Sequence, residues 1–576
     1  MLERTTPNTA DIDAVAIARD WLAEFVEAMT GPAEAMAALF TADCHWRDLV
    51  ALTGALRTTS GTDGVTALHT ALAERGATGF AIDTLRLPPA ETERAGHDVI
   101  EALYTFRTPL GPCEGLIRLR LDGGDYKAWT LNTAQASLDG FEKKPAQVYA
   151  KDVRAPNWLD HRMAARAYAD RDPAVLVVGG GHAGLSIAAY LGSMGIDTLV
   201  VDREKRIGDN WRLRYHNLAL HNQIGVNHMP FMPFPPTYPR YIPKDQVANW
   251  LEIYAEAMEI NFWLETSFDG AEWDEESQVW SARVTRNGET RTMRPRHIVM
   301  ACSTSAVPKR PDIESLSAFD GVKQHSEEFE IGSEWAGRPV MVLGTGTSSH
   351  DICQHLHAHG AHVTMVQRSP TMVVNVEPTA QRYDGLYLGD GPPVAVRDLV
   401  NISFPLDLIK RSHQILTRQV RDDEAEFYGK LSDTGFRLSW GEDDMGWPML
   451  YRTRGGGYYF NIGASELIIE REIDLIQYHD IDRFVADGVQ MSDGTHRPAD
   501  LVVMSTGYEN QGALVRKLFG DAVADRAGQV WGFNDAQEMA NMWTRTGQPG
   551  LWFTAGAFSQ CRIYSKFLAQ QIALDL

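Results

Sequence analysis

The pattern of apolar and polar positions divides the chain into an N-terminal part and a longer C-terminal part. In the first part, apolar residues recur at helical spacing from Asp11 to about Met29, and shorter helical patterns cover Ala33–Phe40 and Gly64–Glu74. Alternating stretches typical of antiparallel strands then follow at Phe80–Leu87, Asp98–Thr108, Glu114–Leu121 and Tyr126–Ser137. Helices followed by a sheet predict an α+β domain over residues 1–145.

The second part has the pattern of a parallel sheet. Residues 146–172 are polar and lack a strong period, which indicates a connector. From Pro173 onward, short β-branched runs alternate with helical patterns, which is typical of an α/β fold. Two glycine-rich turns interrupt this region, at Gly179 and at Gly344. Because such turns bind the phosphates of nucleotides, two of them in one chain predict two dinucleotide sites.

The first glycine-rich turn lies in the full context of a dinucleotide site. A buried strand, Ala174–Val178, runs into Gly179-Gly-Gly181-His-Ala-Gly184, which opens a helix. Gly179 makes the tight turn, Gly181 lets the backbone approach a pyrophosphate, and Gly184 lets the helix pack against the strand. The next strand ends at Asp202, whose carboxylate can accept a hydrogen bond from a ribose hydroxyl.

The second glycine-rich turn follows the strand Pro339–Leu343 and departs from the first in two ways. Its third glycine is replaced by Ser349, after Gly344 and Gly346, and a serine is small enough for fairly close packing. No acid stands at the end of the following strand, where Arg368 is found instead. An arginine there can bind a 2′-phosphate, which favours NADPH over NADH, although a solvated surface charge is the alternative reading.

The residues after the first turn carry a family resemblance. Glu204, Gly208 and Trp211 resemble the acid–glycine–tryptophan continuation of FAD-binding flavin-containing monooxygenases, with Asp209 replacing the usual second glycine. The resemblance implies that Trp211 packs near the flavin. Taken alone, a tryptophan at this position is also compatible with an ordinary core residue.

A second motif strengthens the resemblance. The spacing Phe319-x-Gly321-x-x-x-His325-x-x-x-Phe329 resembles the fingerprint shared by flavin-containing and Baeyer–Villiger monooxygenases. This fingerprint is the most specific signal in the chain, because several residue types stand at fixed spacing. His325 is therefore a candidate catalytic residue, while a structural histidine at a domain junction is the alternative.

Two later segments extend the resemblance to the end of the chain. Thr506-Gly507 follows a buried strand and resembles the family's late ATG-type motif, so these residues are expected to join the two nucleotide domains. A last strand within Gly550–Gly556 leads to a closing helix, predicted at Ser565–Ala573. With its N-terminal extension, the chain resembles the bacterial type II flavin-containing monooxygenases.

The resemblance implies an α/β architecture with two Rossmann-like domains. Residues 173–315 and 497–576 form the FAD-binding domain, which the NADPH-binding domain, residues 316–496, interrupts. The small N-terminal domain resembles, by pattern, the cone-shaped domains of the polyketide-cyclase and nuclear-transport-factor superfamily. It is a candidate for homo-oligomerisation or ligand binding.

The resemblance also implies the chemistry. NADPH, or NADH, reduces FAD, which reacts with O2 to give a C4a-(hydro)peroxyflavin that oxygenates a ketone or a soft nitrogen or sulfur atom. Asn222 and, less specifically, His221 stand where the family places residues near the flavin. Asn222 is alternatively an ordinary loop residue, and Arg382 and Arg562 are candidates for the arginine of a Baeyer–Villiger site. An NADPH oxidase or reductase without productive oxygenation is the alternative function.

Composition narrows the function classes. Lys and Arg number 54 against 76 Asp and Glu, and the resulting net charge of −22 argues against nucleic-acid binding. The five cysteines contain no CxxC pair, which favours a reducing compartment and predicts neither zinc nor a disulfide reductase. The polar N-terminus, which has no signal-peptide pattern, and the lack of a membrane span predict a cytoplasmic protein. The resemblance implies that its partners are a small-molecule substrate and O2. The insert Trp447–Phe460 is either a substrate-side lid or a tight turn before a core strand.

Overall fold

The computed structural model describes residues 13–142 and 157–576. The first of these ranges contains three helices and seven strands: α1 (Ala14–Ala28), α2 (Ala33–Ala38), α3 (Gly61–Arg75), β1 (Phe40–Leu49), β2 (Leu56–Ser60), β3 (Thr78–Ile82), β4 (Ala90–Arg94), β5 (His97–Thr108), β6 (Gly111–Asp122) and β7 (Asp125–Gln135).

Residues 157–388 contain the following helices and strands: α4 (Trp158–Ala167), α5 (His182–Ser193), α6 (Asp209–Arg212), α7 (Lys244–Ala257), α8 (Thr347–Ala358), β8 (Val175–Val178), β9 (Thr198–Val201), β10 (Asn261–Trp263), β11 (Thr266–Asp274), β12 (Val279–Arg286), β13 (Glu289–Met293), β14 (His297–Met300), β15 (Val322–His325), β16 (Pro339–Leu343), β17 (His362–Gln367) and β18 (Met372–Asn375).

The remaining residues contain these elements: α9 (Val394–Ile402), α10 (Leu406–Asp423), α11 (Ala425–Asp433), α12 (Gly446–Arg454), α13 (Ala464–Ile469), α14 (Gln511–Phe519), α15 (Asp521–Ala527), α16 (Phe558–Asp575), β19 (Tyr458–Asn461), β20 (Asp474–Gln477), β21 (Ile481–Val485), β22 (Gly488–Met491), β23 (His496–Pro498), β24 (Leu501–Met504) and β25 (Leu551–Phe553). None of the described helices is both long enough and apolar enough to cross a membrane.

The chain folds into two units, and the first is not built from N-terminal residues alone. It combines the N-terminal α+β region up to Gly140 with Gly389–Ser412 and Asp535–Glu538. Its sheet has the order β2-β1-β7-β6-β5-β3, with β4 beside β5, and β1 pairs with β7 in parallel. Helices α1 and α3 pack on one face of the sheet, around a core that includes Trp21 and Trp46.

The other face of this sheet contacts the two later segments. Arg47 forms a buried ion pair with Glu538, through two hydrogen bonds of 2.9 and 2.6 Å. Arg118 donates to the Ser403 hydroxyl at 2.8 Å, and its guanidinium lies 3.9 Å from the ring centre of Phe404. Residues 389–412, which we assigned to the NADPH-binding domain, therefore complete the first unit.

The second unit contains two parallel five-stranded sheets, as expected for two Rossmann-like domains. The first sheet has the order β10-β9-β8-β14-β25 and the second β15-β24-β16-β17-β20. Because β25 follows every strand of the second sheet in the chain, the first domain is interrupted by the second. Strand β24 pairs with β15 and β16, so the second sheet extends beyond residue 496, where we placed its boundary.

Several segments differ from the sequence-based expectation. Strands β1 and β2 were not predicted, because polar residues interrupt their alternation. Helix α4 occupies part of the expected connector. Helix α16 begins at Phe558, seven residues before the predicted start, so its first turn directly follows Gly556.

Candidate active site

The first glycine-rich loop connects β8 to α5, and its backbone requires glycine at two positions. Gly179 has φ +105°, a conformation that residues with a side chain rarely adopt. A Cβ on Gly184 would overlap the carbonyl oxygen of Gly179, so the helix approaches the loop as closely as the motif implies. Gly181 precedes the first turn of α5, whose free N–H groups are suited to binding a pyrophosphate.

The Asp202 carboxylate is hydrogen-bonded to this loop. One carboxylate oxygen accepts the Gly180 N–H at 2.5 Å, and the other accepts the Glu204 N–H at 2.9 Å. Each carboxylate oxygen can accept a second hydrogen bond, which leaves the capacity that a ribose hydroxyl needs.

An aromatic group joins the loop to the start of α16. The ring of His182 stacks on Phe558 with centroids 4.2 Å apart, and Trp211 lies 5.9 Å from the same phenylalanine. Burial lowers the pKa of His182, which favours the neutral ring. Because a carbonyl oxygen can only accept, the His182 Nε2–H donates to the Gly556 carbonyl at 2.8 Å. The sequence analysis missed His182, because a histidine at a variable position of the glycine motif carries no signal by itself.

The second glycine-rich loop opens onto a cavity of about 790 Å³. Gly344 has φ +125°, and the Ser349 hydroxyl lies in close contact with it. A Cβ on Gly346 would lie 3.8 Å from the Tyr458 carbonyl oxygen, which is an ordinary contact, so the backbone there is not crowded. A glycine-rich loop at the start of a helix is suited to binding a pyrophosphate.

The cavity is positively charged, although the protein as a whole carries −22. Four basic side chains and one acidic side chain line it: Arg214, Lys309, Arg368, Arg454 and Asp312. A local excess of positive charge suits a ligand with several phosphates. The Arg368 side chain is exposed, while Arg437 donates to its backbone carbonyl at 2.7 Å and thereby fixes the loop.

Thr506 and Gly507 line one side of this cavity, and His325 contacts Gly507. The buried His325 accepts the Glu327 N–H at Nδ1 (3.2 Å), and its Nε2 lies 3.1 Å from the Gly507 carbonyl. Burial lowers the pKa of His325, so the neutral ring uses one nitrogen as acceptor and the other as donor. The Thr506 hydroxyl donates to the Lys309 carbonyl at 2.5 Å. Since both ring nitrogens contact the backbone, the geometry favours the structural reading of His325.

Asn222 has a carboxylate partner. Its side-chain amide donates to Asp384 at 2.6 Å, and its backbone carbonyl accepts from Asn227 at 2.9 Å. Burial raises the pKa of Asp384 to about 6. The sequence analysis missed this residue, which lies 162 positions from Asn222 and outside any motif.

His221 lies in a group of rings that we call the aromatic cluster. The His221 ring is 5.2 Å from Phe460, and Trp447 is 4.8 Å from Phe460 and 5.6 Å from Tyr383. Tyr458 completes the cluster, 5.8 Å from Trp447. Burial lowers the pKa of His221 to about 4, so the imidazole is neutral. Trp447 and Tyr458 belong to the insert, which is the helix α12 followed by the buried strand β19.

The start of α16 contacts both Tyr451 on α12 and the loop that carries Asn222. Gln560 accepts from the Tyr451 hydroxyl at 3.2 Å and from the Ala557 N–H at 3.0 Å. Arg562 donates to the backbone carbonyls of Val226 and His228 at 2.8 and 2.7 Å. The helix start that borders the first glycine-rich loop thus also holds the loop that carries Asn222.

The chain is similar to several known proteins. Residues 173–383 match a family model described as pyridine nucleotide-disulphide oxidoreductase. The probable indole-3-pyruvate monooxygenase YUCCA9 of Arabidopsis thaliana is 31% identical over 337 residues, covering 58% of this chain and 75% of that protein. Indole-3-pyruvate monooxygenase YUCCA4 of Oryza sativa subsp. japonica is 31% identical over 350 residues, covering 59% and 74%.

The fold has a counterpart among solved structures. The open crystal structure of cyclohexanone monooxygenase superposes with a TM-score of 0.53 at 16% identity, covering 70% of this chain and 87% of that chain. At this identity, the likeness concerns the fold. A parallel dinucleotide-binding domain interrupted by a second one defines a two-domain flavin oxidoreductase.

The relatives make the class more specific. The chain belongs to the class B flavin-containing monooxygenase family. It is a flavin-dependent monooxygenase that uses FAD and NADPH, and the resemblance in its motifs is confirmed.

Proposed function

We propose that the enzyme oxygenates a carbonyl compound with an aromatic or bulky apolar body. The observation that carries this proposal is the aromatic cluster, which reaches the Asn222 loop through His221. Rings in edge-to-face contact form an apolar wall that favours planar, apolar ligands. The plant relatives are named for indole-3-pyruvate, an aromatic carbonyl compound.

In this proposal, the first glycine-rich loop holds FAD through Gly179, Gly181, Gly184, Asp202 and Trp211. The second loop holds NADPH through Gly344, Gly346, Ser349 and Arg368, while Thr506 and Gly507 link the two nucleotide domains. Bound in these places, the two cofactors would supply the redox chemistry with O2 that the chain's own side chains lack. Asn222 donates a hydrogen bond in the reaction site, and the aromatic cluster holds the substrate and excludes water.

Oxygenation of a soft nitrogen or sulfur atom is the second candidate. The observation that favours it concerns the two arginines considered for a Baeyer–Villiger site. Arg382 forms an ion pair with Asp423 at 2.6 Å, and Arg562 donates to two backbone carbonyls. Neither side chain is held toward the aromatic cluster by these contacts, whereas heteroatom oxygenation needs no arginine.

The test compares three substrates with purified holoenzyme and NADPH: an aryl ketone, an aromatic 2-oxo acid and an aryl thioether. Product, NADPH and H2O2 are measured together. We expect the carbonyl compounds to give product and to suppress H2O2. Product from the thioether alone would favour the second candidate. Stoichiometric H2O2 with every substrate would indicate an NADPH oxidase and contradict oxygenation of these substrate classes.

A further inference from the structure

We propose that Asp384 is a positioning residue for Asn222, and that this carboxylate–amide pair sets how much NADPH oxidation leads to product. The inference rests on the proposed function, because it assigns a role to Asn222 in the reaction site. It adds a residue that the sequence motifs do not contain.

The first argument is the geometry of the pair. The distance of 2.6 Å from Asn222 Nδ2 to Asp384 Oδ2 is that of a short, charge-assisted hydrogen bond. The Asn222 backbone is held as well, because the 3%-exposed Asn227 donates to its carbonyl. With the backbone and one amide hydrogen fixed, the second amide hydrogen of Asn222 has a defined direction.

The second argument is the rigidity of the segment that carries Asp384. Thr379 donates to Glu424 at 2.8 Å, Gln381 donates to the Val376 carbonyl at 3.0 Å, and the hydroxyls of Tyr383 and Thr417 are 2.8 Å apart. These hydrogen bonds, all from residues that directly precede Asp384, hold the part of the segment that leads into it. A carboxylate held in this way can orient a partner.

The third argument is charge. Among the described residues, no cation forms an ion pair with Asp384. Arg382 on the same segment pairs with Asp423, and Arg240 pairs with Glu377. The histidines of the neighbouring elements, His221 and His413, are held neutral because burial lowers their pKa values to about 4 and about 3. The Asn222 amide is thus the group that stabilises the ionised carboxylate, against the burial that raises its pKa to about 6.

These features couple the protonation of Asp384 to the orientation of Asn222. An ionised carboxylate only accepts hydrogen bonds, so it draws the NH2 group of the amide toward itself. A protonated carboxyl has lost its negative charge, so it accepts from the NH2 group more weakly, and its new O–H can donate to Asn222 Oδ1 when the amide turns over. The structure shows the first arrangement. We expect it to be the productive one, so that the yield of product per NADPH falls as the pH decreases through about 6.

The test uses full-length holoenzyme with Asp384→Asn, Asn222→Ala and, as matched control, Asp423→Asn. Asp423 is a carboxylate near the same segment, but its partner is Arg382. The first readout is the infrared carboxyl band of Asp384, titrated without turnover. We expect this carboxyl band in wild type and in Asp423→Asn. In Asn222→Ala, the titration midpoint should move to higher pH, because the hydrogen bond that lowers the pKa of Asp384 is lost. The second readout is product and H2O2 per NADPH between pH 5.5 and 8.

In Asp384→Asn, we expect about ten-fold less product per H2O2 and no change of this ratio with pH, while Asp423→Asn behaves as wild type. The proposal would be overturned if Asp384→Asn kept the wild-type ratio of product to H2O2 and its pH dependence. It would also be overturned if Asn222→Ala left the infrared titration midpoint of Asp384 unchanged. If Asp384→Asn does not retain FAD, the infrared comparison of wild type with Asn222→Ala decides. If no substrate gives product but the midpoint moves, the pair stands and the proposed function fails.

Discussion

At the scale of single residues, burial and neighbouring groups decide which side chains carry charge. Burial keeps His182 and His221 neutral. Burial also raises the pKa of Asp351, which is 1% exposed, to about 7. Cationic side chains instead line the cavity beside the second glycine-rich loop. Changes to charge are therefore expected to act on stability at buried sites and on cofactor affinity at the cavity.

Replacing Arg368 by alanine should weaken the binding of NADPH selectively. Hydrogen bonds to a charged phosphate contribute about 1.5–3 kcal/mol, which corresponds to an increase of about 10- to 100-fold in KM for NADPH. KM for NADH should change little, because NADH lacks the 2′-phosphate. The control is Arg338→Ala, an exposed arginine that pairs with Asp500. Equal losses with both cofactors would contradict a phosphate-binding role.

Asp351→Asn should stabilise the protein at high pH. Tyr215 donates to one Asp351 oxygen at 2.8 Å, and no described residue donates to the other. Because the folded-state pKa, about 7, exceeds an unfolded value of about 3.9, the contribution of Asp351 to the free energy of unfolding is most favourable below pH 4 and falls until about pH 7. This loss of stability is at most about 4 kcal/mol. The Asp351→Asn variant does not lose it, because its amide side chain does not ionise.

The measurement for Asp351→Asn is the free energy of unfolding of both proteins at pH 5 and pH 8. The difference in favour of the variant should be larger at pH 8. A difference that is constant or shrinks with pH would show that Asp351 is ionised in the folded protein at pH 5.

At the scale of elements, the two glycine-rich loops have the same arrangement of strand, loop and helix, but they differ in the side chain that fits at the third motif position. In the first, Gly184 on α5 packs directly on Gly179. In the second, Ser349 takes the equivalent place on α8 and is fully buried against Gly344. The second helix therefore accommodates a side chain that the first cannot.

Gly184→Ala should accordingly remove most of the bound FAD, because the new methyl group would overlap the Gly179 carbonyl and displace the loop. Gly192→Ala is the matched control on the same helix, since a Cβ there meets nothing within 4 Å. We expect it to keep its FAD and to gain a few tenths of a kcal/mol in stability, because alanine favours a helix. Flavin absorbance per protein after gel filtration measures both. Full FAD in Gly184→Ala would contradict the close packing.

How far the sequence predicts these elements depends on how local their determinants are. Strand β16 has the bounds expected from its apolar run, Pro339–Leu343. Strand β1 escaped prediction because its polar residues are buried by distant partners, such as Glu538 for Arg47. The same holds for the site. The glycine motifs are contiguous and could be read directly, whereas Asp384 meets Asn222 only after both nucleotide domains have folded.

At the scale of the whole molecule, the first unit depends on residues from three parts of the chain. The ion pair between Arg47 and Glu538 joins positions 491 residues apart. Thr58 also donates to Glu538, at 2.6 Å. Arg47 further donates to the carbonyls of Ile402 and Phe404. This buried polar group holds two later segments of the chain on one sheet.

Arg47→Met should therefore destabilise the protein by about 3–5 kcal/mol, because it leaves the Glu538 carboxylate buried without its cation. The double variant Arg47→Met/Glu538→Met should recover much of this loss, since two apolar side chains can replace a buried pair. Thermal unfolding of wild type, Arg47→Met, Glu538→Met and the double variant gives the coupling energy. Additive effects of the two substitutions would mean that the pair is not coupled in solution.

Deletion of residues 1–142 should do more than remove an oligomerisation module. Helix α9 and the start of α10 would lose the sheet on which they pack, and the apolar residues Phe404 and Leu408 would lose Val99 and Trp129, with which they form a small core. We expect the truncated chain to aggregate or to lose FAD, as measured by light scattering and flavin absorbance after gel filtration. Replacing Phe404 and Leu408 by serine in the truncated chain provides the control, because it should reduce aggregation if exposed apolar surface is the cause. A truncated chain that stays dispersed, keeps its FAD and unfolds at the wild-type temperature would instead make the N-terminal region an independent appendage.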